Sequence, residues 1–567
     1  MANAVEILLS SLRGTSVHPN EIAQLIILME NPLMETRPAL LHKLCQVVAS
    51  LPHTSRSQLA QALMKYDKAN FRTFLQLFQA HLVQSLHPDK GARDQMLDVA
   101  RTLSVFHLAN SRAHSSRGKA ILPLSDFYCP VLARKMDYKH EYGNWTASDQ
   151  SSMLDFPYLL DPSLKVRILH FDAVVQMRKE YQNAILHQAR VNQAQRYLNQ
   201  LNKEPSLEDG VQAATCPFLV LEIRREQLIQ DTLAEVQLKR DQLKKPLKIK
   251  YIGGGEQGLD MGGLQKEFFQ MITESVFDPN YGMFVYLEES RSLWINGESP
   301  ESDGEFELVG IILGLAIYNG VILDVHFPMT VYKKLQGETL ELADLQDIQP
   351  ILASGLQELL DYEGDVEMDL CYTFQVSYES FGHVKTVDLI ENGSEVPVNN
   401  KNRGEFVRRY VNFLLVDSVE RQFEAFSRGF HLVCGGRVLT LFRAEEIELL
   451  ICGSTELDFD GLEASAVYED GYSKDHKTVR ALWSVVRSLS HKHKKMLLMF
   501  ITGSDRVPLK GLATLRITVQ RHGPDSERLP TAMTCFNTLL LPSYKDIDKL
   551  KNRLLTAIEN CKGFGLT

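Results

Sequence analysis

A cysteine close to the carboxyl end, Cys535, stands in the run Leu529-Pro530-Thr531-Ala532-Met533-Thr534-Cys535-Phe536-Asn537-Thr538, with three leucines, Pro542 and Tyr544 following. The run is polar and turn-like before the thiol and apolar after it. That pattern predicts a loop feeding a short buried strand, with Cys535 where loop meets strand. A thiol so placed can stay open to a reactant while its backbone is held, which suits a nucleophile. The competing reading is a small buried hydrophobe, the common fate of a free cysteine. The other cysteines, at 45, 129, 216, 371, 434, 452 and 561, form no CxxC pair and no close Cys/His cluster. Nothing here supports a zinc site or a disulfide framework; a reducing compartment fits.

A second run invites chemistry and is set aside. Gly253-Gly254-Gly255-Glu256-Gln257-Gly258 satisfies G-x-G-x-x-G after the alternating segment Leu247–Tyr251. Asp260 and the pair Gly262-Gly263 then put a carboxylate where phosphates need positive potential, and no series of strand and crossover-helix units follows. The glycines are expected to form a turn that docks a strand on a helix from Leu264 to Ile272, with Phe268 and Phe269 facing the core.

The elements that position these residues come from a chain of 567 residues, 44% apolar and 23% charged. That length exceeds one hydrophobic core, so about two to four domains are expected. A formal charge of -10 gives no reason to expect nucleic acid as a partner. The first residues lack the basic start and long apolar stretch of a signal peptide. The most apolar segment, Leu308 to Tyr318, is too short to span a bilayer and reads as a buried helix, so no membrane insertion is expected.

Up to about residue 245 the apolar spacing is helical and predicts antiparallel helices that bury one another, broken by an exposed loop at Asn110 to Lys119. The charged run Glu222 to Lys248 reads as a solvated helix face over Leu228, Leu233 and Val236. Further on, helices are expected at Pro350 to Leu360 and at Lys401 to Phe430, with a strand at Thr373 to Ser377 and a hairpin turn at Asn392-Gly393. A helix ends in Glu445 to Leu450, and Cys452-Gly453-Ser454 reads as a linker. Beyond it lie a helix at Thr478 to Leu489, strands near Leu497 to Thr502 and Leu515 to Val519, the Cys535 strand, and a helix at Asp546 to Asn560. These make a small α+β domain.

From about Phe218 to Thr567 the chain resembles the catalytic domain of HECT-type ubiquitin-protein ligases, in particular the group of the E6-associated protein and the small HERC ligases. The resemblance rests on Glu256-Gln257-Gly258-Leu259-Asp260 with Gly262-Gly263, on Gly314 to Asn319, and on His326-Phe327-Pro328. It also rests on Glu445 to Gly453, Thr502 to Arg506, Leu529-Pro530 with Thr534-Cys535-Phe536-Asn537, and Lys562 to Leu566. Residues 155–177 resemble the region just upstream in that group, whereas the first 120 residues resemble nothing with a known function. Small HERC ligases carry propeller repeats in front, and no such periodicity is visible here; if the chain is one of them, a truncated form or alternative product is expected.

The resemblance implies a mainly α N-terminal region followed by a bilobal α+β HECT catalytic domain. Residues 1–215 would be a helical region of unknown role, 218–451 an N-lobe that binds the conjugating enzyme, 452–457 a hinge, and 458–567 a C-lobe. Cys535 would carry ubiquitin as a thioester and pass it to substrate lysines, with Thr534, Asn537 and Phe564 supporting transfer. The conjugating enzyme would dock on Leu352, Leu356, Leu360 and Tyr362, with Phe406 nearby. A charge at Leu356 is expected to weaken docking and leave the fold intact. Gly453 and Ser454 would absorb lobe rotation. The partners implied are a conjugating enzyme, ubiquitin and protein substrates, with no metal and no cofactor, in the cytoplasm or at vesicles through partners. One departure stands out: the family has histidine before its Thr-Cys pair, and this chain has Met533, which can neither donate a hydrogen bond nor shuttle a proton. The rival reading is a catalytically weakened HECT-like scaffold.

Overall fold

The computed structural model describes residues 2–11, 19–86, 92–117, 119–147, 151–200, 216–253, 263–380, 383–454, 457–508 and 511–560. Two compact units divide at Phe171/Asp172.

The first unit is helical: α1 (Ala2–Ser11), α2 (Pro19–Met29), α3 (Leu33–Thr36), α4 (Pro38–Ser50), α5 (His53–Leu63), α6 (Lys68–Gln84), α7 (Ala92–Arg117), α8 (Pro130–Lys135), α9 (Tyr138–Thr146) and the start of α10 (Pro162–Gln200). Helix α7 packs on α4, α5 and α6. Leu41, Leu44 and Val48 of α4 are buried with Leu103 and Phe106 of α7, and Phe71 and Phe78 lie against Phe106 at 5.5 and 5.4 Å between ring centroids. Over Asn110–Arg117 the expected loop is instead the last turns of α7. Asn110 is buried, and its side-chain amide exchanges two hydrogen bonds with the Leu122 backbone, at 3.0 and 2.8 Å. Its polarity thus serves a buried loop rather than water.

The second unit opens with β1 (Leu219–Ile223), α11 (Leu228–Leu238) and β2 (Leu247–Tyr251), the two strands pairing in parallel from Leu219↔Leu247. Next come α12 (Gly263–Val276), the antiparallel pair β3 (Phe284–Leu287) and β4 (Ser292–Ile295), and α13 (Asp303–Asn319). Phe268 and Phe269 of α12 are buried, as expected. Ser302 and Glu305 form a capping box that starts α13, and Gly320, at φ +70°, ends it. This helix is buried on all sides from Phe306 to Tyr318, which is why its apolar residues show no stripe.

Short helices follow: α14 (Met329–Leu335), α15 (Leu342–Leu345), α16 (Pro350–Asp361) and α17 (Val366–Leu370). A hairpin pairs β5 (Gln375–Ser380) with β6 (His383–Asp388). Its closing pair is Ser380↔His383, so the turn expected at Asn392-Gly393 is not the hairpin. Asn392, at φ +55°, instead opens the 3-10 turn Gly393–Glu395, packed on the Phe374 carbonyl. The single helix expected over Lys401 to Phe430 is two, α18 (Arg403–Leu415) and α19 (Glu420–Cys434), with a 3-10 turn at Asp417–Val419 between them. There the Asn412 amide donates to Asp417 Oδ1 at 2.9 Å, a side-chain bond that competes with helix continuation. Helix α19 packs along α13, and α20 (Ala444–Cys452) packs on α14.

The carboxyl-terminal part holds α21 (Phe459–Ser465), β7 (Val467–Glu469), α22 (Lys477–Ser488), α23 (His491–Thr502), β8 (Thr518–Arg521), β9 (Thr531–Met533), β10 (Thr538–Leu541) and α24 (Ile547–Glu559). The sheet order is β7-β8-β10-β9, with β9 antiparallel and the others parallel. Its own core includes Leu482, Trp483, Val486, Leu498, Val519, Leu539, Leu541 and Leu554. The strand expected at Leu497 to Thr502 is the end of α23, capped by Ser490 and stopped by Gly503 at φ +78°. A short apolar run fits either structure, and here the cap decides for helix. The strand expected at Leu515 to Val519 begins only at Thr518, after a 3-10 turn at Leu512–Leu515.

Candidate active site

The catalytic candidate lies in a tight connection between two strands. Met533 closes β9 opposite Thr538, the first residue of β10, and Thr534–Phe536 form one 3-10 turn with Cys535 at its centre. The junction expected between a loop and a strand is therefore a turn held by strands on both sides. Phe536 beside it is 55% exposed and Met533 40%. Two apolar side chains that flank the thiol thus face solvent.

Asn537 fixes this turn. Its φ of +51° lies in the left-handed region, where asparagine is among the few tolerated side chains. Its N–H donates to the Thr534 carbonyl at 3.2 Å, and its own carbonyl accepts from Thr518 N–H at 3.0 Å. Its side-chain Nδ2 donates to the Leu515 carbonyl at 2.9 Å, while Oδ1 accepts from Lys266 Nζ of α12 at 2.8 Å. Thr534 thus closes the turn through its carbonyl, and Asn537 ties it to both the local sheet and a distant helix. The turn also packs on α12 and α23. Sequence reasoning missed Lys266, which no local pattern links to a residue so far along the chain. Phe564 lies outside the described residues.

Several other thiols are poor rivals. Burial pushes Cys45 and Cys434 up to about 12 and Cys452 up to about 11, and raises Cys129 as well. Such thiols supply little thiolate at neutral pH. Cys371 is exposed, at the left-handed end of α17.

The expected hinge has distinct parts. Cys452 ends α20, buried, with its Sγ 3.3 Å from Tyr332 Oη and 2.9 Å from the Val325 carbonyl. It is an anchor and not a linker residue. Ser454 pairs with Val507 by two backbone hydrogen bonds of 2.7 and 2.8 Å. Gly453 stands between them at φ +69°, and a Cβ there would lie 2.7 Å from the Val507 carbonyl oxygen. Nearby, Arg506 donates from Nη2 to His326 Nε2 at 2.6 Å.

The residues nominated for docking do come together, on α16, the turn after it and α18. They do not all face solvent. Leu356 is 6% exposed and points inward with Ala353 and Leu359, whereas Leu352 and Leu360 are half-buried. Tyr362 donates from Oη to Asp369 Oδ2 at 2.9 Å, and its carbonyl accepts from Arg403 at 2.5 Å. Phe406 is buried, stacked 6.4 Å from Tyr372 and edge-on to Phe374 at 5.4 Å. The expectation that a charge at Leu356 would spare the fold is therefore corrected: a carboxylate there would enter the core. The exposed apolar side chains of this region are Ile351 (74%), Met368 (75%) and Tyr372. A signal was present for two of them, since Ile351 falls off the leucine stripe and Met368 sits between Glu367 and Asp369.

Among the described residues, no helix is long and apolar enough to cross a membrane. Residues 270–567 match the family described as HECT-domain (ubiquitin-transferase). The probable E3 ubiquitin-protein ligase HECTD2 of Mus musculus is 36% identical over 575 residues, covering 96% of this chain and 71% of that protein. The probable E3 ubiquitin-protein ligase mug30 of Schizosaccharomyces pombe is 31% identical over 598 residues, covering 97% and 70%. The probable E3 ubiquitin-protein ligase HERC4 of Homo sapiens is 36% identical over 484 residues, covering 82% of this chain and 44% of that protein.

Proposed function

From the premise that this chain belongs to the HECT-domain family of ubiquitin transferases, we propose that Cys535 is the residue on which it carries ubiquitin. The activity that follows from membership is that of a ubiquitin-protein ligase, working through a cysteine thioester. The observation that carries the assignment to Cys535 is its turn: held by strand pairing at both ends, pinned by Asn537 and flanked by the exposed Phe536.

In the first step the Cys535 thiolate attacks the thioester carbonyl of a charged conjugating enzyme. A new C–S bond forms, and the conjugating enzyme's thiolate leaves. In the second step a substrate lysine amine attacks the same carbonyl, the C–N bond forms, and the Cys535 thiolate leaves as the amine gives up a proton. One thioester replaces another, so the first step is close to balanced and needs access more than driving force. Asn537 holds the turn through both steps, and Thr534 shapes it. Met533 offers no base beside the thioester, which limits hydrolysis and leaves proton removal to other groups. Phe564 is assigned to the transfer step with them.

The domain scheme follows the same reading: residues 218–451 as N-lobe, 452–457 as hinge and 458–567 as C-lobe, with 1–215 as a helical region that selects substrates or partners. The independent core around Trp483 and Leu539 supports a separate C-lobe. The group of the E6-associated protein and the small HERC ligases is the proposed subgroup on the sequence motifs, although the HECTD2 match covers more of this chain than the HERC4 match does. A cytoplasmic site of action is proposed on the free thiols, with any vesicle attachment coming through partners. The test is autoubiquitination with a panel of conjugating enzymes, comparing wild type, Cys535→Ala and Met533→His. Activity in wild type that vanishes in Cys535→Ala supports the ligase. Silence in wild type with rescue by Met533→His would mark a damaged ligase, and silence in all three folded proteins would favour the scaffold, for which the exposed Met533 is the specific observation.

The conjugating enzyme is assigned to the face of α16 and α17, with the half-buried Leu352, Leu360 and Tyr362 as its floor and Leu356 and Phe406 supporting it from beneath. Leu356→Asp is expected to destabilise the fold by roughly 3 kcal/mol or more, as burial of an unpaired charge does, and to lower the melting temperature. Met368→Asp, at an exposed position, should leave melting within about 1 °C and weaken pull-down of the conjugating enzyme. Intact binding in Met368→Asp would move the dock elsewhere.

Rotation at the hinge is assigned to Gly453, because Cys452 and Ser454 are each fastened on one side. Ser454→Pro removes the N–H that donates to Val507, and Gly453→Pro cannot adopt a positive φ. The double variant is expected to keep both lobes folded by circular dichroism and to slow single-turnover transfer by about tenfold or more, the scale of a misplaced reacting group. Unchanged transfer would show that no large rotation occurs here.

A further inference from the structure

A polar tie joins the Cys535 turn to a helix far away in sequence: Lys266 Nζ lies 2.8 Å from Asn537 Oδ1. Lys266 is half-buried on α12, a helix packed on α11, α13 and β2. Asn537 has little freedom to follow it. Its backbone is fixed in the left-handed region, and its Nδ2 is already committed to the Leu515 carbonyl. The contact is therefore made by bringing the whole turn to the helix. Two further ties accompany it, Arg506 on His326 and the Ser454–Val507 pair, so the arrangement is held at several points.

This arrangement places the turn on a different part of the fold from the α16 face. Helix α16, whose Leu352 and Leu360 belong to the proposed docking face, packs on α15 and α18. A turn held by α12 is suited to the step that follows charging, when the conjugating enzyme has given up its ubiquitin. We propose that Lys266 is a positioning residue that docks the Cys535 turn on α12 for transfer of ubiquitin to lysine, an inference that rests on Cys535 being the ubiquitin carrier. The ammonium donates to a neutral amide oxygen, so a charge-assisted bond orients the turn and leaves the thioester carbonyl untouched. Methionine keeps the length and apolar stem of lysine and lacks the donor. Arginine keeps a donor of similar reach.

The experiment separates the two steps. Wild type, Lys266→Met and Lys266→Arg are charged from a ubiquitin-loaded conjugating enzyme under single-turnover conditions, and the thioester is then chased with free lysine and, separately, with a protein acceptor. Lys266→Met is expected to charge at the wild-type rate and to discharge onto lysine about tenfold more slowly, the scale of one charge-assisted hydrogen bond. Lys266→Arg should recover most of that rate. Melting temperatures should agree among the three. Failure of wild type to charge Cys535 would sink the functional reading and this inference with it. Normal charging with normal discharge in Lys266→Met would overturn the inference alone. Equal loss in charging and discharge would assign Lys266 a merely structural role. A ubiquitin remnant on Lys266, with Lys266→Arg as defective as Lys266→Met, would make it an acceptor and overturn the positioning role.

Discussion

Cys535→Ala is expected to abolish the thiol-sensitive ubiquitin adduct and every later transfer, with no loss of fold. The effect is all-or-none because the covalent step needs a sulfur nucleophile and alanine has none. The buried thiols offer no substitute: Cys45, Cys434 and Cys452 are held well above neutral pH as thiols, packed in the core. Stability should barely change, since the substitution removes one sulfur from a turn whose geometry comes from Asn537 and the β9–β10 pairing. The check is non-reducing electrophoresis after charging, with melting curves for both proteins. An adduct of wild-type intensity in the variant would move the chemistry to another residue.

Gly310→Ala is expected to destabilise the second unit, whereas Gly355→Ala is expected to stabilise it. Both glycines lie inside helices, where alanine gains roughly 1 kcal/mol of helix propensity. At Gly355 a Cβ meets nothing within 4 Å, so the gain should appear in full as about 0.5–1 kcal/mol. At Gly310 a Cβ would fall 1.9 Å from the Phe426 carbonyl oxygen and 2.7 Å from Phe430 N. Both contacts are backbone atoms of α19, so no rotamer change relieves them and the two helices must part. Gly429 meets α13 just as closely from the other side, 2.0 Å from the Glu307 carbonyl oxygen. Overpacking of this kind costs about 1–3 kcal/mol or more and outweighs the propensity term. Chemical denaturation of the two variants should therefore shift in opposite directions. A stabilised Gly310→Ala would mean that α13 and α19 are not in this close contact.

Much of the fold is legible in the sequence where periodicity, length and caps agree. The buried helix α13 announces itself by an apolar run that follows the Ser302-x-x-Glu305 box, and α22 and α24 by their stripes. Legibility fails where one pattern serves two structures. Leu497 to Thr502 is apolar enough for a strand, and only Ser490 and Gly503 reveal the helix. The Ser- and Arg-rich end of α7 has loop composition, yet Asn110 spends its polarity on a buried backbone segment. Asn392-Gly393 has hairpin chemistry but caps a 3-10 turn, because the hairpin's register is set by the strands before it.

The candidate site divides along the same line. Cys535, Thr534 and Asn537 stand together in sequence, and the resemblance to HECT ligases picks them out; composition alone would have left Cys535 among eight cysteines. Lys266 reaches Asn537 through tertiary structure alone. Leu352, Leu356 and Leu360 recur every four residues, a repeat that drifts around the helix, and so Leu356 falls inward while its neighbours stay at the edge. Which leucine anchors a core and which meets a partner depends on the helix packed against that face, here α18.

The central claim, that ubiquitin rides on Cys535, is tested most directly by trapping the intermediate with Cys535→Ser and mapping the attachment site by mass spectrometry. A serine oxygen forms an ester that resists thiols and yields to hydroxide, so the adduct survives digestion. The expected result is a single ubiquitin remnant on the peptide spanning Thr531 to Thr538, absent when the activating enzyme is omitted. A remnant on any other cysteine-bearing peptide, with the Thr531–Thr538 peptide unmodified, would contradict the account.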